Sequence, residues 1–228
     1  MSAGKLYVVA TPIGNLEDIT LRAVRTLKEV DVVFAEDTRV TRKLLSHLGI
    51  QKPTERFDEN ISPERINRLA EVVLNGKNAA LVTDAGTPNI SDPGSRLVSL
   101  AVKSGIEVIP IPGPSALTTA LSVAHFPVND FIFLGFPPTK KRRNKFFDSV
   151  AQEKKSVALY ESTHRILRTI GELAERMPER EVLVAKELTK LYERIWRGRI
   201  GEIAVEFGRL TKEELKGEWV VIIAKISA

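Results

Sequence analysis

Residues 79–94 read AALVTDAGTPNISDPG, and three kinds of local structure follow one another within them. Ala79–Val82 is a short apolar run without polar alternation, the pattern of a strand buried on both faces. Asp84-Ala85-Gly86-Thr87-Pro88 is a small, polar, kinked loop, and Asp92-Pro93 opens a helix that Gly105 ends. A buried strand handed to a helix through such a loop is the repeating unit of a parallel α/β sheet.

Outward from this stretch the same unit recurs. Leu6–Ala10, Asp31–Phe34 and Glu107–Ile111 are further predicted strands. Between them lie a helix over Leu21–Glu29 capped by Thr20, one over Arg39–Leu48 stopped by Gly49, and one from Pro63 to Asn75. Past Pro112-Gly113-Pro114 the pattern changes. Strands are predicted at Phe131–Leu134, Ser156–Tyr160, Val182–Ala185, Glu193–Arg197 and Trp219–Ala224, with helices near Asn144–Ala151 and His164–Arg176. Several gaps suit hairpin-like returns, so the second sheet should be mixed. The expectation is two α/β domains, 1–113 with a mostly parallel sheet and 114–228 with a mixed one.

The chain of 228 residues has no cysteine, which excludes disulfides and thiolate chemistry, and three scattered histidines that argue against a metal centre. No apolar stretch is long enough for a signal peptide or a membrane span, so the reading is a soluble cytoplasmic protein without a membrane partner. Charge is uneven. Residues 1–113 carry 14 basic and 14 acidic side chains, whereas 114–228 carry 20 and 15, so the whole surplus of +5 lies in the second half. A one-sided basic surplus points to a polyanion, against the plainer reading of a lysine-rich solvated surface.

Three predicted strand ends carry small or kinked residues: TPIGN (11–15), DAGTP (84–88) and PGPSA (112–116). Open parallel sheets bind ligands at the carboxyl ends of their strands, and glycine and alanine let a ligand approach the backbone. Neither GxGxxG nor GxxxxGK[ST] is present, so the ligand has no phosphate cradle to meet. Asp84 is the natural carboxylate for a positive charge or a sugar hydroxyl, or else the cap of a turn.

The runs TPIGNLEDIT (11–20), AEDTR (35–39), TDAGTPNISDPG (83–94), IPGPSA (111–116), FLGFPP (133–138), YESTHR (160–165) and AKELTK (185–190) resemble the ribosomal RNA small subunit methyltransferase I family. That family lies in the tetrapyrrole methylase superfamily, the class III methyltransferases. The resemblance covers nearly the whole chain. It implies a homodimer that uses S-adenosylmethionine to methylate the 2′-oxygen of a cytidine ribose in the decoding region of 16S ribosomal RNA. The RNA would be met alone or within the small ribosomal subunit. It places the cofactor between two α/β domains, against Pro12, Ile13, Asp84, Ala85, Gly86, Thr87, Ile90, Ser115, Ala116, Tyr160 and Leu188. Where the family motif has proline in YESPHR this chain has Thr163, which can cap a helix starting at His164. Rival readings are a tetrapyrrole or diphthine methyltransferase of the same superfamily, and a ribosome-binding factor without catalysis.

Methyl transfer from a sulfonium asks mainly for alignment, with a base or neighbouring cation to help remove the hydroxyl proton. Candidates within the motifs are Glu36, Asp37, Glu161, His164 and Lys186. Each has a structural alternative; Glu36 or Asp37 can pair with Arg39, and Glu161 can cap the following helix. For RNA, five of the six residues 140–145 are basic: Lys140, Lys141, Arg142, Arg143 and Lys145. Arg194 and Arg197 flank Trp196, an indole able to stack on an unpaired base or to pack in the core.

Overall fold

A computed structural model of the chain describes residues 2–91 and 94–226. The chain divides into two units, Met1–Ser115 and Ala116–Ala228. In the first, strands β1 (Lys5–Val9), β2 (Val32–Ala35), β3 (Thr54–Arg56), β4 (Ala79–Val82) and β5 (Glu107–Ile111) form a parallel sheet in the order β3-β2-β4-β1-β5. Helices α1 (Leu21–Glu29), α2 (Thr38–His47), α3 (Pro63–Leu74) and α4 (Ser95–Lys103) connect the strands.

Strand alternation explains why these runs are apolar at every position. Val32, Phe34, Ala79 and Leu81 pack with Ile66, Leu69, Val73 and Leu97 of α3 and α4. Their neighbours Val33, Ala35, Ala80 and Val82 pack on the opposite face with Ala23, Leu27 and Leu45 of α1 and α2. Both faces are covered, so no position is left for a polar residue. The central pair is β4 and β1. The chain leaves β1 toward β2 and leaves β4 toward β5, in opposite directions along the sheet. Such a reversal opens a crevice at the carboxyl ends of the two strands.

The second unit holds α5 (Ala116–Ser122), β6 (Phe131–Phe133), α6 (Arg143–Gln152), β7 (Ser156–Ser162), α7 (Ile166–Arg176), β8 (Glu181–Lys186), β9 (Arg194–Arg199), α8 (Ile200–Phe207) and β10 (Glu218–Ile223). Its sheet runs β6-β7-β10-β8-β9 and is mixed: β6 and β7 are parallel and the other neighbours antiparallel. One core joins Val157, Leu159, Val182, Val184, Trp219 and Val221 of the strands to Phe147, Ile170, Leu173, Ile203 and Phe207 of α6, α7 and α8.

Among the strands and α-helices, β3, α5 and α8 were not expected. β3 is an edge strand, α5 follows directly on the PGPSA loop, and α8 carries β-branched residues through a helix. The expected helix start at Asp92-Pro93 lies outside the described residues, and α4 begins at Ser95 behind Gly94. Thr163 is not a helix cap. Its hydroxyl donates to Gly217 O and accepts from Gly217 N, both at 2.8 Å, while α7 starts only at Ile166. The side chain thus prolongs the β7–β10 pairing by one residue. Among the described residues, no helix is long and apolar enough to cross a membrane.

Candidate functional site

At the carboxyl ends of β1, β4 and β5, hydrogen bonds tie the three loops into one surface. Thr11 and Gly86 form a two-way backbone bridge, with N···O distances of 2.9 and 3.0 Å. Thr11 Oγ1 donates to Thr83 O at 3.1 Å, and Thr87 Oγ1 donates to Pro114 O at 3.1 Å. Gly86 has φ +83°, a left-handed conformation that side chains strain, and a Cβ there would touch Ile13 Cγ2 at 3.4 Å. At Gly113 a Cβ would press on Ala10 Cβ at 3.0 Å, so glycine lets the β5 loop close onto β1.

Carboxylates line the same edge. Glu36 directly follows β2 and accepts from Thr83 Oγ1 at 2.7 Å and from Asp84 N at 3.3 Å. Asp84 Oδ1 accepts from Asp37 N at 2.9 Å. Asp37 caps α2, accepting from Arg39 N, and its carboxylate is also paired with the Arg39 guanidinium, which holds its pKa far below the ordinary range. Asp84 is different. Its residue surface is largely exposed, yet protein crowds the carboxyl enough that desolvation pushes its pKa up. The Asp37 N–H opposes that shift, and the charges of Glu36 and Asp37 add to it.

Pro12, Ile13 and Gly86 are buried in this surface, Thr87 is half-buried, and Asp84, Ala85 and Ile90 are exposed. Ser115 is half-buried at the end of the first unit. Of the first-unit residues named from the motifs, hydrogen bonds and contacts tie Ile13, Asp84, Gly86 and Thr87 to this edge, together with Thr11 and Thr83. Those two were not among the candidates, although Thr83 directly follows β4 and Thr11 stands two residues past β1, where loop-ordering hydroxyls belong.

In the second unit, Ala116 opens α5, and Leu188 is buried just past β8. Tyr160 lies edge-on to Phe133 and Phe136, with ring centroids at 4.9 and 5.7 Å, and its hydroxyl accepts from Leu117 N at 3.2 Å. Glu161 and Lys186 both stand opposite Trp219 in the sheet register, so they face the helix-covered core and not the side that Tyr160 faces. Glu161 is 1% exposed and Lys186 donates to Glu214 O at 2.6 Å. Neither is disposed to act as an accessible base. Exposed His164, in the turn between β7 and α7, has no hydrogen-bond partner among the described residues.

The basic clusters also need correction. Lys140, Lys141, Arg142 and Lys145 are exposed, but Arg143 is 2% exposed and bonded to Glu172, Thr169 and Pro138 O. Trp196 is a core residue, packed on Phe207 and Trp219, with its Nε1 donating to Glu206 at 2.6 Å. Its ring is unavailable to a base. Arg194 lies over Trp196 and pairs with Glu206, while exposed Arg197 donates to Val123 O.

The family model of tetrapyrrole (corrin/porphyrin) methylases matches residues 5–204. A ribosomal RNA small subunit methyltransferase I of Thermotoga maritima is 45% identical over 97% of this chain and 98% of its own. One of Synechocystis is 46% identical over 97% of this chain and 79% of its own. The chain belongs to the tetrapyrrole methylase family, among its ribosomal RNA small subunit methyltransferases I. Solved structures agree on the fold of this tetrapyrrole methylase. A diphthine synthase superposes with TM-score 0.73 at 16% identity, covering 99% of this chain and 92% of its own. A cobalt precorrin-4 methyltransferase gives 0.69 at 18%, covering 96% and 94%.

Proposed function

We propose that this tetrapyrrole methylase transfers a methyl group from S-adenosylmethionine to the 2′-oxygen of a cytidine ribose in the decoding region of 16S ribosomal RNA. The observation that carries this reading is identity above 40% with proteins named ribosomal RNA small subunit methyltransferase I, over nearly the whole chain. The same reading makes the protein a cytoplasmic homodimer that acts on 16S ribosomal RNA or the small ribosomal subunit.

The first-unit loops fit the cofactor chemically. Carboxylates line the sheet edge, one of them desolvated, and the sequence has neither of the two glycine-rich phosphate-binding motifs. That donor set suits a ligand bearing a positive charge and ribose hydroxyls. S-adenosylmethionine supplies an electrophilic methyl group, so the chain's task is placement. Asp84, Ala85, Gly86 and Thr87 would hold the ligand along β4, with Pro12 and Ile13 from β1. Glu36 fixes the backbone and hydroxyl beneath Asp84. Tyr160 and Leu188, in the second unit, are the further positions that the family resemblance assigns to the cofactor. His164 takes the proton leaving the 2′-hydroxyl, being the exposed candidate without a competing partner. Lys140, Lys141, Arg142 and Lys145 hold phosphates.

The deciding experiment incubates small ribosomal subunits lacking the modification with the protein and labelled S-adenosylmethionine, then maps ribose methylation by mass. Label in one 16S cytidine ribose is expected. Methylation of a tetrapyrrole or of diphthine intermediates, with none on RNA, would defeat the reading. Lack of measurable cofactor affinity would favour a non-catalytic ribosome-binding factor. A His164→Asn variant should lose turnover at saturating RNA while keeping its affinity for the cofactor.

A further inference from the structure

The YESTHR motif and the basic run meet inside the second unit, through a buried network of charges. Alternation along β7 sets Glu161 on the same face as Val157 and Leu159, beneath α6 and α7. A carboxylate there demands compensation. Glu161 Oε2 accepts from Thr169 Oγ1 at 2.6 Å, and that hydroxyl accepts from Arg143 Nη2 at 2.7 Å. Glu161 Oε1 accepts from Ser162 N at 2.8 Å and pairs with Arg165 Nη2 at 2.7 Å. Arg143 Nε is held by Glu172 at 2.7 Å.

Both guanidiniums then reach out of this network to adjacent carbonyls of one loop. Arg143 Nη1 donates to Pro138 O and Arg165 Nη1 to Pro137 O, each at 2.9 Å. Arg165 also lies over the Phe136 ring. Residues 136–138 lead straight into Lys140-Lys141-Arg142, and Arg142 is held at φ +65°, a left-handed conformation that its surroundings must impose. A buried ion network adds little net stability over apolar packing of the same volume. What this one provides is geometry, two anchors on successive residues at the root of the basic loop.

We infer that Glu161 is a positioning residue: through Arg143 and Arg165 it clamps Pro137-Pro138 and so pre-organises the Lys140–Arg142 loop for RNA phosphates. The inference rests on the proposed role of that loop in gripping RNA. Ordering the loop in advance removes an entropic cost from binding, so loosening the clamp should weaken RNA affinity without touching the cofactor.

The test uses the full chain with Glu161→Gln, with Arg165→Lys, and with Lys140, Lys141 and Arg142 together changed to Ala. Hydrogen exchange of the Arg143 and Phe146 amides, which donate to Lys140 O and Arg142 O of the loop, affinity for an unmodified 16S RNA transcript, and calorimetry with S-adenosylmethionine are measured on each. The two clamp variants should exchange those amides about tenfold faster and bind RNA about three- to tenfold more weakly, with cofactor affinity within about twofold. Arg165 is partly exposed, so its variant carries the test if Glu161→Gln does not fold. Unchanged RNA affinity in the triple variant would defeat the grip itself, leaving exchange as the measure of the clamp. A weakened triple variant beside clamp variants with wild-type exchange and RNA affinity would overturn the positioning role. So would a loss of kcat at saturating RNA in Glu161→Gln with exchange and affinity intact, which would put Glu161 in the chemistry.

Discussion

Arg143 and its three basic neighbours look alike in sequence, and they should respond to mutation in opposite ways. Arg143→Ala removes a side chain that is 2% exposed and strips a guanidinium from Glu172 and from the hydroxyl beside Glu161. Breaking a buried pair from one side costs about 3–5 kcal/mol. Glu161 keeps Arg165 at 2.7 Å and Glu172 keeps Arg168 at 3.0 Å, so the lower end, about 3 kcal/mol, is the better value. For a chain of 228 residues that lowers Tm by about 6–12 °C. The triple change of Lys140, Lys141 and Arg142 to Ala alters exposed side chains, each worth within about 0.5 kcal/mol of stability. Its effect should fall on RNA instead. Each lost phosphate contact flattens the slope of log affinity against log salt by about 0.7–0.9, so three contacts flatten it by about 2–3. Urea unfolding and salt titrations of RNA anisotropy read the two quantities separately. If Arg143→Ala unfolded within about 1 kcal/mol of wild type and flattened the salt slope by one contact's share, Arg143 would be a surface phosphate ligand, and the buried network would be wrong.

Other expectations concern the first unit. An acid whose pKa is raised on folding loses stability as pH rises through that pKa, so Asp84→Asn should stabilise the unliganded protein at pH 7 while weakening S-adenosylmethionine binding. Urea unfolding across pH would show the gap closing as pH falls toward the ordinary 3.8, and a gap independent of pH would refute the assignment. Gly86→Ala should cost about 1–2 kcal/mol from its left-handed backbone and loosen the bridge to Thr11; unchanged stability in a melt would contradict this. Turnover should survive EDTA, because a sulfonium methyl needs no Lewis acid; loss restored by a divalent ion, with RNA folding held constant, would count against it.

Much of the fold could be read because signals agreed locally. The Thr20 cap marks α1 at Leu21–Glu29, and an apolar run bounded by polar residues marks β4 at Ala79–Val82. β3 is Thr54-Glu55-Arg56, an edge strand whose neighbour in the sheet is β2, and its side chains carry no alternating apolar pattern. α8 reads IGEIAVEF, rich in β-branched residues, and it folds as a helix because Ile200, Ile203 and Phe207 drive one stripe into the core. That three-and-seven spacing was visible and outweighs propensity. At the site, strand ends and glycines exposed the three loops. The burial of Arg143 could not be read, since a basic run looks solvated until α6 turns one member inward.

Motif reading treats neighbours as partners, whereas a strand separates them. In YESTHR, Tyr160 and Glu161 are adjacent, yet the pleat sends them to opposite faces of the sheet, and the register sets Lys186 on the face of Glu161. Any chemistry shared by Tyr160 and a base must therefore draw on residues past the strand's end, where the alternation stops. Among the residues past the end of β7, His164 is exposed, in the turn that Thr163 pins to Gly217. The motif's two charged neighbours on either side of that turn, Glu161 and Arg165, are engaged with each other at 2.7 Å. They hold the turn in place and leave the His164 imidazole exposed, without a hydrogen-bond partner among the described residues.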